Sequence, residues 1–579
     1  MIIQRFPDTL TAEILALIAD LLTPKNLAVC LRVCKHWSKV FHPLFWRNMS
    51  VTSQTTNRWF SNAPDNKLIQ VNAPLVRSVR CHFFTALNPF FQAKKMTNLS
   101  RLDLWGLVLP NDNKAILWVP LLNLIARNPG LRFLAIYNLL GTIDNLAVKI
   151  FPSLPNLQVL KLHAGRSVSA KSLDAFFQML PPSLLYLKLD GTISGGEKYV
   201  PAPSSHAPRL KLKRLACSGF MTDAEAILNS FFKRCPDLET LISEGTMTKL
   251  RMKEPRPRLQ NFVLKDSYGW GGDRNALDNW IGPLGLRSLT LEDSCTVGAK
   301  TMQTLLANSP TLEELRASQM NGTYITSLLK SCSRLSILYS GSKTAGDPAT
   351  GEKESLASIL RDALLGEGIG EPVAKTDYTV NAISLAESTP VVWPCAGTLR
   401  TLEMILSNIP RPDLQGVVIH GKMLGPYPDS LWIESRNLQR QIYERLGHCT
   451  RLRRLILGVS QLRSLDVREA NSCIYEGLEF SLDSGLGMLS GLTDLRVLDV
   501  QMLEHKIGIP ELEWMKVHWK RLERIVGLEP DETSLKWIKK HKPAWIRPEA
   551  KKPEDEDYVP PQKTGPFKRW TFAGPNERF

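Results

Sequence analysis

The chain has 579 residues, of which 43% are hydrophobic and 22% charged, so it can bury a large core and is not a disordered or fibrous sequence. The formal net charge of +16 favours acidic partners, namely nucleic acid, an anionic membrane surface, or an acidic or phosphorylated protein. Ten cysteines without a CxxC pair predict neither a disulfide framework nor a zinc site, and no apolar stretch is long enough to span a bilayer. The first ten residues also lack the apolar core of a signal peptide, so we expect a soluble protein of the cytoplasm or nucleus.

Three short helices are predicted between residues 6 and 46. Apolar residues recur at helical spacing over residues 14–22, behind Thr11 as a helix cap. Thr23-Pro24 ends this helix and begins the next, and His42-Pro43 is expected to interrupt the pattern again. A helical unit this small has apolar residues on more than one face. Either a partner protein covers it, or it caps the following part of the same chain.

The first segment resembles an F-box, with a leucine-led start, a proline after the first long helix and a Val-Cys-Lys-x-Trp motif. The matching positions are Leu10, Glu13, Ile14, Pro24, Leu27, Cys30, Val33, Cys34, Lys35, Trp37 and Trp46. The family's proline after the leading leucine is replaced by Thr11. The resemblance implies docking on a Skp-type linker protein, which holds a cullin-RING complex. The residues that it assigns to linker binding are Leu10, Ile14, Leu21, Pro24, Leu27, Val33 and Trp37.

The remainder of the chain repeats the pattern L-x-x-L-x-L. Clear copies start at Leu99, Leu131, Leu157, Leu184, Leu259, Leu286, Leu452 and Leu495, and degenerate ones at Val76, Leu212, Leu238, Leu312, Leu335, Leu399 and Leu522. Between Leu131 and Leu335 the successive steps are 21 to 28 residues, which is the period of leucine-rich repeats. Amphipathic helices fill several of the intervals, and a proline often precedes the next strand.

We therefore predict an α/β fold in which a three-helix F-box precedes an irregular solenoid, with parallel strands on the concave face and helices outside. A large α/β enzyme would also alternate strands and helices, but its strands would not recur at a near-constant period. The predicted divisions are an F-box (1–50), a linker (51–70), a first repeat region (71–340), an insertion (341–394), a second repeat region (395–530) and a disordered tail (531–579).

Strand alternation places the second, fourth and sixth residues after each leading leucine on the concave face. On four early strands this rule brings aromatic and basic residues together, as in protein interfaces. The predicted substrate-binding residues are Trp105, Phe133, Tyr137, Lys161, Tyr186 and Lys188. The alternative is that the aromatic residues pack beneath the F-box or fill strand edges. An acidic or phosphorylated protein segment is the expected ligand.

No catalytic motif, metal-ligand set or cofactor motif is found, so we expect a non-catalytic protein. The resemblance implies the substrate adaptor of an SCF-type ubiquitin ligase, in which other subunits transfer ubiquitin. LQRQIYERLGHCTRLRRL and WMKVHWKRLERIVGL resemble segments of the large fungal F-box families. Two alternatives stay open: a scaffold that binds the linker without degrading a target, and a basic nucleic-acid-binding repeat protein. Acidic residues on the predicted concave strands weigh against the nucleic-acid alternative.

Overall fold

One parallel sheet runs from the end of the F-box segment to the last repeat of the computed structural model. The structure describes residues 11–51, 67–82, 87–105, 114–139, 151–164, 168–191, 193–194, 208–218, 225–244, 258–265, 285–340, 380–387, 392–415, 418–419, 422–423, 427–458, 475–501 and 503–546. Among these residues, no helix has both the length and the apolar character required to cross a bilayer.

The sheet contains sixteen described strands whose spatial order is their order in the sequence, as expected for a solenoid. The strands are β1 (Asn48–Val51), β2 (Ser78–Cys81), β3 (Arg101–Leu104), β4 (Phe133–Leu139), β5 (Val159–Ala164), β6 (Tyr186–Asp190), β7 (Arg214–Ser218), β8 (Thr240–Glu244), β9 (Asn261–Lys265), β10 (Ser288–Thr296), β11 (Glu314–Gln319), β12 (Ile337–Tyr339), β13 (Thr401–Glu403), β14 (Arg454–Ile456), β15 (Val497–Asp499) and β16 (Arg524–Val526).

Helices or short helical turns connect many of these strands. The described α-helices are α1 (Ala12–Leu21), α2 (Pro24–Cys30), α3 (Lys35–Arg47), α4 (Lys67–Asn72), α5 (Asn88–Gln92), α6 (Lys114–Ala126), α7 (Ala170–Gln178), α8 (Glu225–Lys233), α9 (Ala299–Ala307), α10 (Gly322–Ser331), α11 (Ala382–Ala386), α12 (Asp429–Gly447), α13 (Ile509–His518) and α14 (Glu532–His541). Single 3-10 turns occupy Ala73–Leu75, Phe151–Ser153, Pro412–Leu414, Leu486–Gly491 and Pro543–Ile546.

The repeated leucines form the solenoid core. Every predicted repeat start, clear or degenerate, is at most 4% exposed. In β3, for example, Leu102 and Leu104 are fully buried, and Leu102 pairs with Val79 on one side and Leu134 on the other. Stacking identical apolar positions from strand to strand removes them from water without a closed barrel. The predicted α/β solenoid is confirmed.

Buried polar side chains join one repeat to the next. The amide of Asn128, just after α6, accepts from Leu99 N–H at 2.8 Å and donates to the carbonyls of Met96 and Leu124. Asn308, after α9, likewise accepts from Gly285 and Leu286 N–H groups. Each amide satisfies backbone groups that would otherwise be buried without a partner. These asparagines precede a strand, whereas the usual leucine-rich repeat carries its asparagine after the third apolar position.

The F-box segment has its own small core and a direct connection to the solenoid. Leu15, Leu27 and Phe41 are buried together in that small core, whereas Trp46, near the end of α3, belongs to the solenoid core. The chain then enters β1 at the next residue after α3, without an intervening loop. The F-box therefore also covers the first strand of the sheet, which is one role the sequence left open for it.

Two local features of the F-box differ from the sequence-based prediction. Thr11 occupies the cap position of α1, but its side chain accepts no backbone hydrogen bond there. A backbone hydrogen bond, and after it a hydrogen bond from the Thr11 hydroxyl, lower the pKa of the Glu13 carboxyl. Pro43 does not interrupt the third helix, since α3 runs through it to Arg47. Proline removes one backbone donor, and contacts of Phe41 and Trp46 on either side hold the helix together.

Parts of both predicted irregular regions are folded. Residues 380–387 fold against the sheet, with Val380 and Leu385 fully buried, although they fall inside the predicted insertion. Residues 531–546 also differ from the predicted disordered tail: α14 and the following turn bury Ile538 and Trp545. Helix α14 and the turn after it thus cover the last repeat with these two buried side chains. Residues 341–379 and 547–579, and the predicted linker segment 52–66, lie outside the described residues.

A buried ion pair stabilises the irregular C-terminal repeats. The Arg411 guanidinium donates two hydrogen bonds to the Asp413 carboxylate, at 2.9 and 2.8 Å, and a further one to the carbonyl of Glu504. Lys506 lies 3.3 Å from the same carboxylate. Burial alone would raise the pKa of Asp413, but the bonds from Arg411 and the charge of Lys506 outweigh it and lower the pKa. This network holds together segments far apart in sequence.

Candidate functional site

An apolar surface lies on the outside of the F-box segment. Its members are exposed although they are aliphatic: Ile14 (45%), Leu17 (68%), Leu21 (87%), Val29 (60%) and Val33 (49%). We call these five residues the F-box face. Ile14, Leu17 and Leu21 follow the helical spacing of α1, whose opposite side places Leu15 in the small core. Helix α1 is thus apolar on both sides, and only one side is covered by the described part of the chain.

The seven residues expected to bind a linker occupy different positions in this segment. Ile14, Leu21 and Val33 lie on the F-box face, whereas Leu27 is buried at 8% exposure. Trp37 is half-buried, with its ring 5.4 Å from that of Phe41. Pro24 is the first residue of α2, after the cap Thr23, whose hydroxyl accepts from Asn26 N–H. Leu10 lies outside the described residues.

The thiols near these positions have local contacts. Cys34 caps α3, because its sulfur accepts a hydrogen bond from the N–H of Trp37 at 3.4 Å. Among the described residues, no group of three His, Cys, Asp or Glu side chains is arranged to hold a metal ion.

The second surface is on the concave side of β3–β6, where the six predicted substrate-binding residues meet. We call them the concave patch: Trp105, Phe133, Tyr137, Lys161, Tyr186 and Lys188. Phe133 and Tyr186 belong to one row across the sheet, since both pair with Val159. Lys161 and Lys188 pair directly in another row. Parallel, in-register strands thus place side chains from distant sequence positions side by side.

Trp105 and Tyr137 form an aromatic stack at one side of the concave patch. Their ring centroids are 3.9 Å apart and their planes are inclined by 21°. Trp105 is still 39% exposed, and its indole N–H donates to Asp103 at 2.7 Å. Burial and then the negative charge of Asp103 raise the pKa of Tyr137 to about 12. Trp105 therefore presents a partly exposed, oriented ring, whose aromatic contacts among the described residues are with Tyr137 and His82.

The carboxylate of Asp103, beside this stack, is contacted by two arginines. Asp103 is 3% exposed, and the guanidinium groups of Arg80 and Arg101 lie 3.2 and 3.3 Å from its carboxylate. The ring of His82 lies 5.6 Å from that of Trp105. Burial lowers the pKa of His82, and the carboxylate of Asp103 opposes this shift only in part. The buried carboxylate of Asp103 thus joins the indole N–H to two partly exposed arginines, and these contacts orient the stack.

A ladder of alternating cations and rings crosses the patch from β3 to β7. The guanidinium of Arg101 lies 3.8 Å from the ring centre of Phe133. Lys161 Nζ lies 5.6 Å from the same ring and 5.5 Å from that of Tyr186. Arg214, on β7, approaches the ring of Tyr186 from the next strand, at 5.3 Å. All these distances fall in the range of attractive cation–π contacts, so each cation is held in place by an aromatic face.

Lys188 is engaged differently, with an acidic residue on its own strand. Its ammonium lies 3.2 Å from the carboxylate of Asp190, to which Ser218 donates a hydrogen bond at 2.9 Å. His163 lies 3.8 Å from the same carboxylate. Burial would raise the pKa of Asp190, but the hydrogen bond from His163 and the charge of Lys188 lower it.

A pair of acidic residues occupies the concave side further along the sheet. Glu403 on β13 and Asp499 on β15 belong to the row of Lys161 and both face Ile456, which lies between them. Glu403 is 6% exposed, and no described group hydrogen-bonds to its carboxyl. Burial and the charge of Asp499 raise its pKa to about 8, against the opposing charges of Arg454 and Arg316. Burial likewise raises the pKa of Asp499.

The residues missed by sequence analysis follow the counting rule used for the patch. Arg80 and His82 are the fourth and sixth residues after Val76, a degenerate repeat start. Glu403 and Asp499 are the fourth residues after Leu399 and Leu495. Applying the rule to every repeat would have found them, but nothing in the spacing reveals which concave side chains contact one another.

Comparison with known proteins identifies the N-terminal segment. A family model described as F-box-like matches residues 12–52, which include α1, α2, α3 and β1. No curated protein matches the sequence as a whole.

Solved structures were compared with the whole chain. A leucine-rich-repeat protein of Leptospira interrogans aligns with 13% identity and a TM-score of 0.32, over 83% of this chain and 98% of that one. A structure of the Toll–Spätzle complex of Drosophila aligns with 12% identity and the same TM-score, over 83% of this chain and 52% of the other. Because both TM-scores are low, the repeat architecture is assigned from the sheet and buried leucines of this chain. The chain thus combines an F-box-like segment with a solenoid of leucine-rich repeats.

Proposed function

We propose that this protein is the substrate-recognition subunit of an SCF-type cullin-RING ubiquitin ligase. The F-box face would dock on a Skp-type linker protein, and the concave patch would bind the protein to be ubiquitinated. The chain itself would be non-catalytic, and we propose that it acts in the cytoplasm or nucleus. The observation that supports this proposal best is the exposure of five aliphatic side chains on an F-box-like segment that already has its own core.

The energetics favour a helical partner on the F-box face. A fully buried leucine or isoleucine side chain contributes about 1.5–3 kcal/mol relative to its exposed state. Leu17 and Leu21 are both more than half exposed, so most of that free energy is available for binding. Clustered aliphatic residues at helical spacing are typical of surfaces that receive helices of another protein.

The concave patch has the composition of a recognition surface. The rings of Trp105 and Tyr137 are oriented before binding by their stacking and by the hydrogen bond from Trp105 to the buried Asp103. Pre-oriented side chains lose little conformational entropy in a complex, and this improves affinity. The interspersed carboxylates of Asp103 and Asp190 interrupt the basic surface, so a nucleic-acid backbone is the less suitable ligand.

The first experiment is co-expression of the full chain with a Skp-type linker, followed by size-exclusion chromatography. We expect a stable complex that the double substitution Ile14→Asp/Leu21→Asp abolishes. The matched control is Leu68→Asp/Val71→Asp, since these residues of α4 are also exposed, at 57% and 74%, but belong to the solenoid. A wild-type chain that folds and does not bind the linker would refute the adaptor function.

A second experiment separates the adaptor from the scaffold. Proteins that cross-link to the concave patch would be tested for ubiquitination by the reconstituted ligase. Linker binding with no ubiquitinated partner would favour a scaffold function.

A further inference from the structure

We propose that Lys161 and Arg214 form a subsite for one anionic group, a phosphoryl or carboxylate group, of the bound target protein. This inference rests on the proposed function of the concave face as the recognition surface. It also extends that surface to β7, beyond the six residues of the concave patch.

The two cations are positioned by the same ring. Tyr186 lies on β6, between Lys161 on β5 and Arg214 on β7, because these three strands are neighbours in the sheet. Lys161 Nζ and the Arg214 guanidinium carbon lie 5.5 and 5.3 Å from the ring centre of Tyr186. Both charged groups therefore lie on one side of the sheet and flank one ring, so a group bound over the edge of that ring would lie between them.

Lys161 and Arg214 lack the acidic partners that neighbouring cations have. Arg101 is paired with Asp103 at 3.3 Å, and Lys188 with Asp190 at 3.2 Å. Among the described residues, no carboxylate forms an ion pair with Lys161 or Arg214, whose fixed contacts are with aromatic rings. The aromatic faces attract these cations, but they do not neutralise them.

Arg214 also has an unused hydrogen-bond donor. Its Nε is buried and has no acceptor among the described residues. A buried donor without an acceptor costs about 1–3 kcal/mol, so a bound oxygen atom at this position would recover free energy. An anion satisfies the donor and the charge together, and arginine is well suited to such recognition because its guanidinium presents several donors in one plane.

The environment of Lys161 favours the same ligand. Burial and the positive charge of Lys188 lower the pKa of Lys161, and the carboxylate of Asp103 offsets this only in part. The subsite is thus short of negative charge even though acidic residues are near. An anionic group would stabilise the ammonium form. The adjoining stack of Trp105 and Tyr137 would contact a neighbouring apolar or aromatic residue of the same target.

The test measures protection of Lys161 by small anions, with inorganic phosphate and acetate as the probes. The full chain is treated with a limiting amine-acylating reagent, and acylation of each lysine is followed by mass spectrometry. If a bound anion raises the pKa of Lys161 by about one unit, the reactive free amine falls roughly tenfold. We expect phosphate to slow acylation at Lys161 by about this factor and to leave exposed Lys211 unchanged.

Two substitutions make the result specific. Arg214→Gln should abolish the protection of Lys161, whereas Arg209→Gln, which removes the same charge from an exposed position just before β7, should preserve it. Protection by phosphate alone would assign a phosphoryl ligand, and equal protection by acetate would include carboxylates. No protection by either anion, or equal protection at Lys211, would overturn the subsite. Neither substitution affects the F-box face, so linker binding is an independent result.

Discussion

Glu403 provides a test of the electrostatics of the concave face. Its carboxyl is buried and accepts no hydrogen bond from the described residues, and its pKa is raised from 4.5 to about 8. The folded state therefore binds this proton more tightly than the unfolded state does. Stability must consequently fall as the pH rises from the unfolded pKa to the folded pKa. Each tenfold change in proton affinity is worth about 1.4 kcal/mol, so the loss above pH 8 is at most roughly 5 kcal/mol.

Glu403→Gln removes the ionisable group with little change in shape. At pH 5 we expect the variant and the wild type to differ by less than about 1 kcal/mol, because the folded carboxyl is protonated and the unfolded one has only begun to ionise. At pH 9 the variant should be more stable, by several kcal/mol at most. The assay is chemical denaturation followed by tryptophan fluorescence and circular dichroism, repeated across this pH range.

The control is Glu239→Gln, which removes a surface carboxylate that pairs with Lys213 at 2.9 Å. Exposed ion pairs contribute about 0–1 kcal/mol, so this substitution should not reproduce the pH-dependent gain. A Glu403→Gln effect that is equal at pH 5 and pH 9, or a wild type that gains stability from pH 5 to pH 9, would show that Glu403 is ionised throughout and that the reasoning is wrong.

Three further substitutions test the fold. Gly527→Ala should destabilise the last repeats by at least about 2 kcal/mol in urea denaturation, because Gly527 has φ +76° and its added Cβ would lie 2.1 Å from Gln501 Cα; unchanged stability would contradict this close approach. Asn128→Ala should cost about 1–3 kcal/mol and increase amide hydrogen exchange at Leu99, whose N–H loses its acceptor; unaltered exchange at Leu99 would refute the link. Trp46→Ala should cost about 3–5 kcal/mol and increase protease cleavage between α3 and β1, since its indole fills the solenoid core; wild-type resistance would show that the junction does not depend on it.

The repeat architecture was predictable because a single physical requirement recurs along the chain. Each strand must bury its leucines against the next strand, so even degenerate starts such as Val76 and Leu399 obey the period. The same alternation correctly brought Trp105, Tyr137 and Lys161 to one face. Strand geometry determines these placements almost independently of the other residues.

Features that depend on partners distant in sequence were not predictable. Arg214 could be placed on the concave face, but the absence of a described acidic partner depends on how neighbouring strands fill their positions. Pro43 suggested a helix end, and only packing on both sides of it explains why α3 continues. Residues 531–546 looked like the start of a tail because the charged residues around α14 obscured one buried isoleucine and one buried tryptophan.

Helix α3 belongs to both hydrophobic cores. It supplies Phe41 to the small F-box core and Trp46 to the solenoid core, and Phe45 packs against both. A helix turns by about 100° per residue, so inserting one residue between Phe41 and Phe45 would rotate the two bodies against each other by roughly that angle. The angle between the F-box face and the concave face is therefore encoded by residue spacing along one rod, with no hinge at the helix–strand junction. In the proposed ligase, this helix would hold the concave face at a fixed orientation relative to the docked linker protein. That orientation would then determine which lysines of the bound protein come within range of the ubiquitin donor.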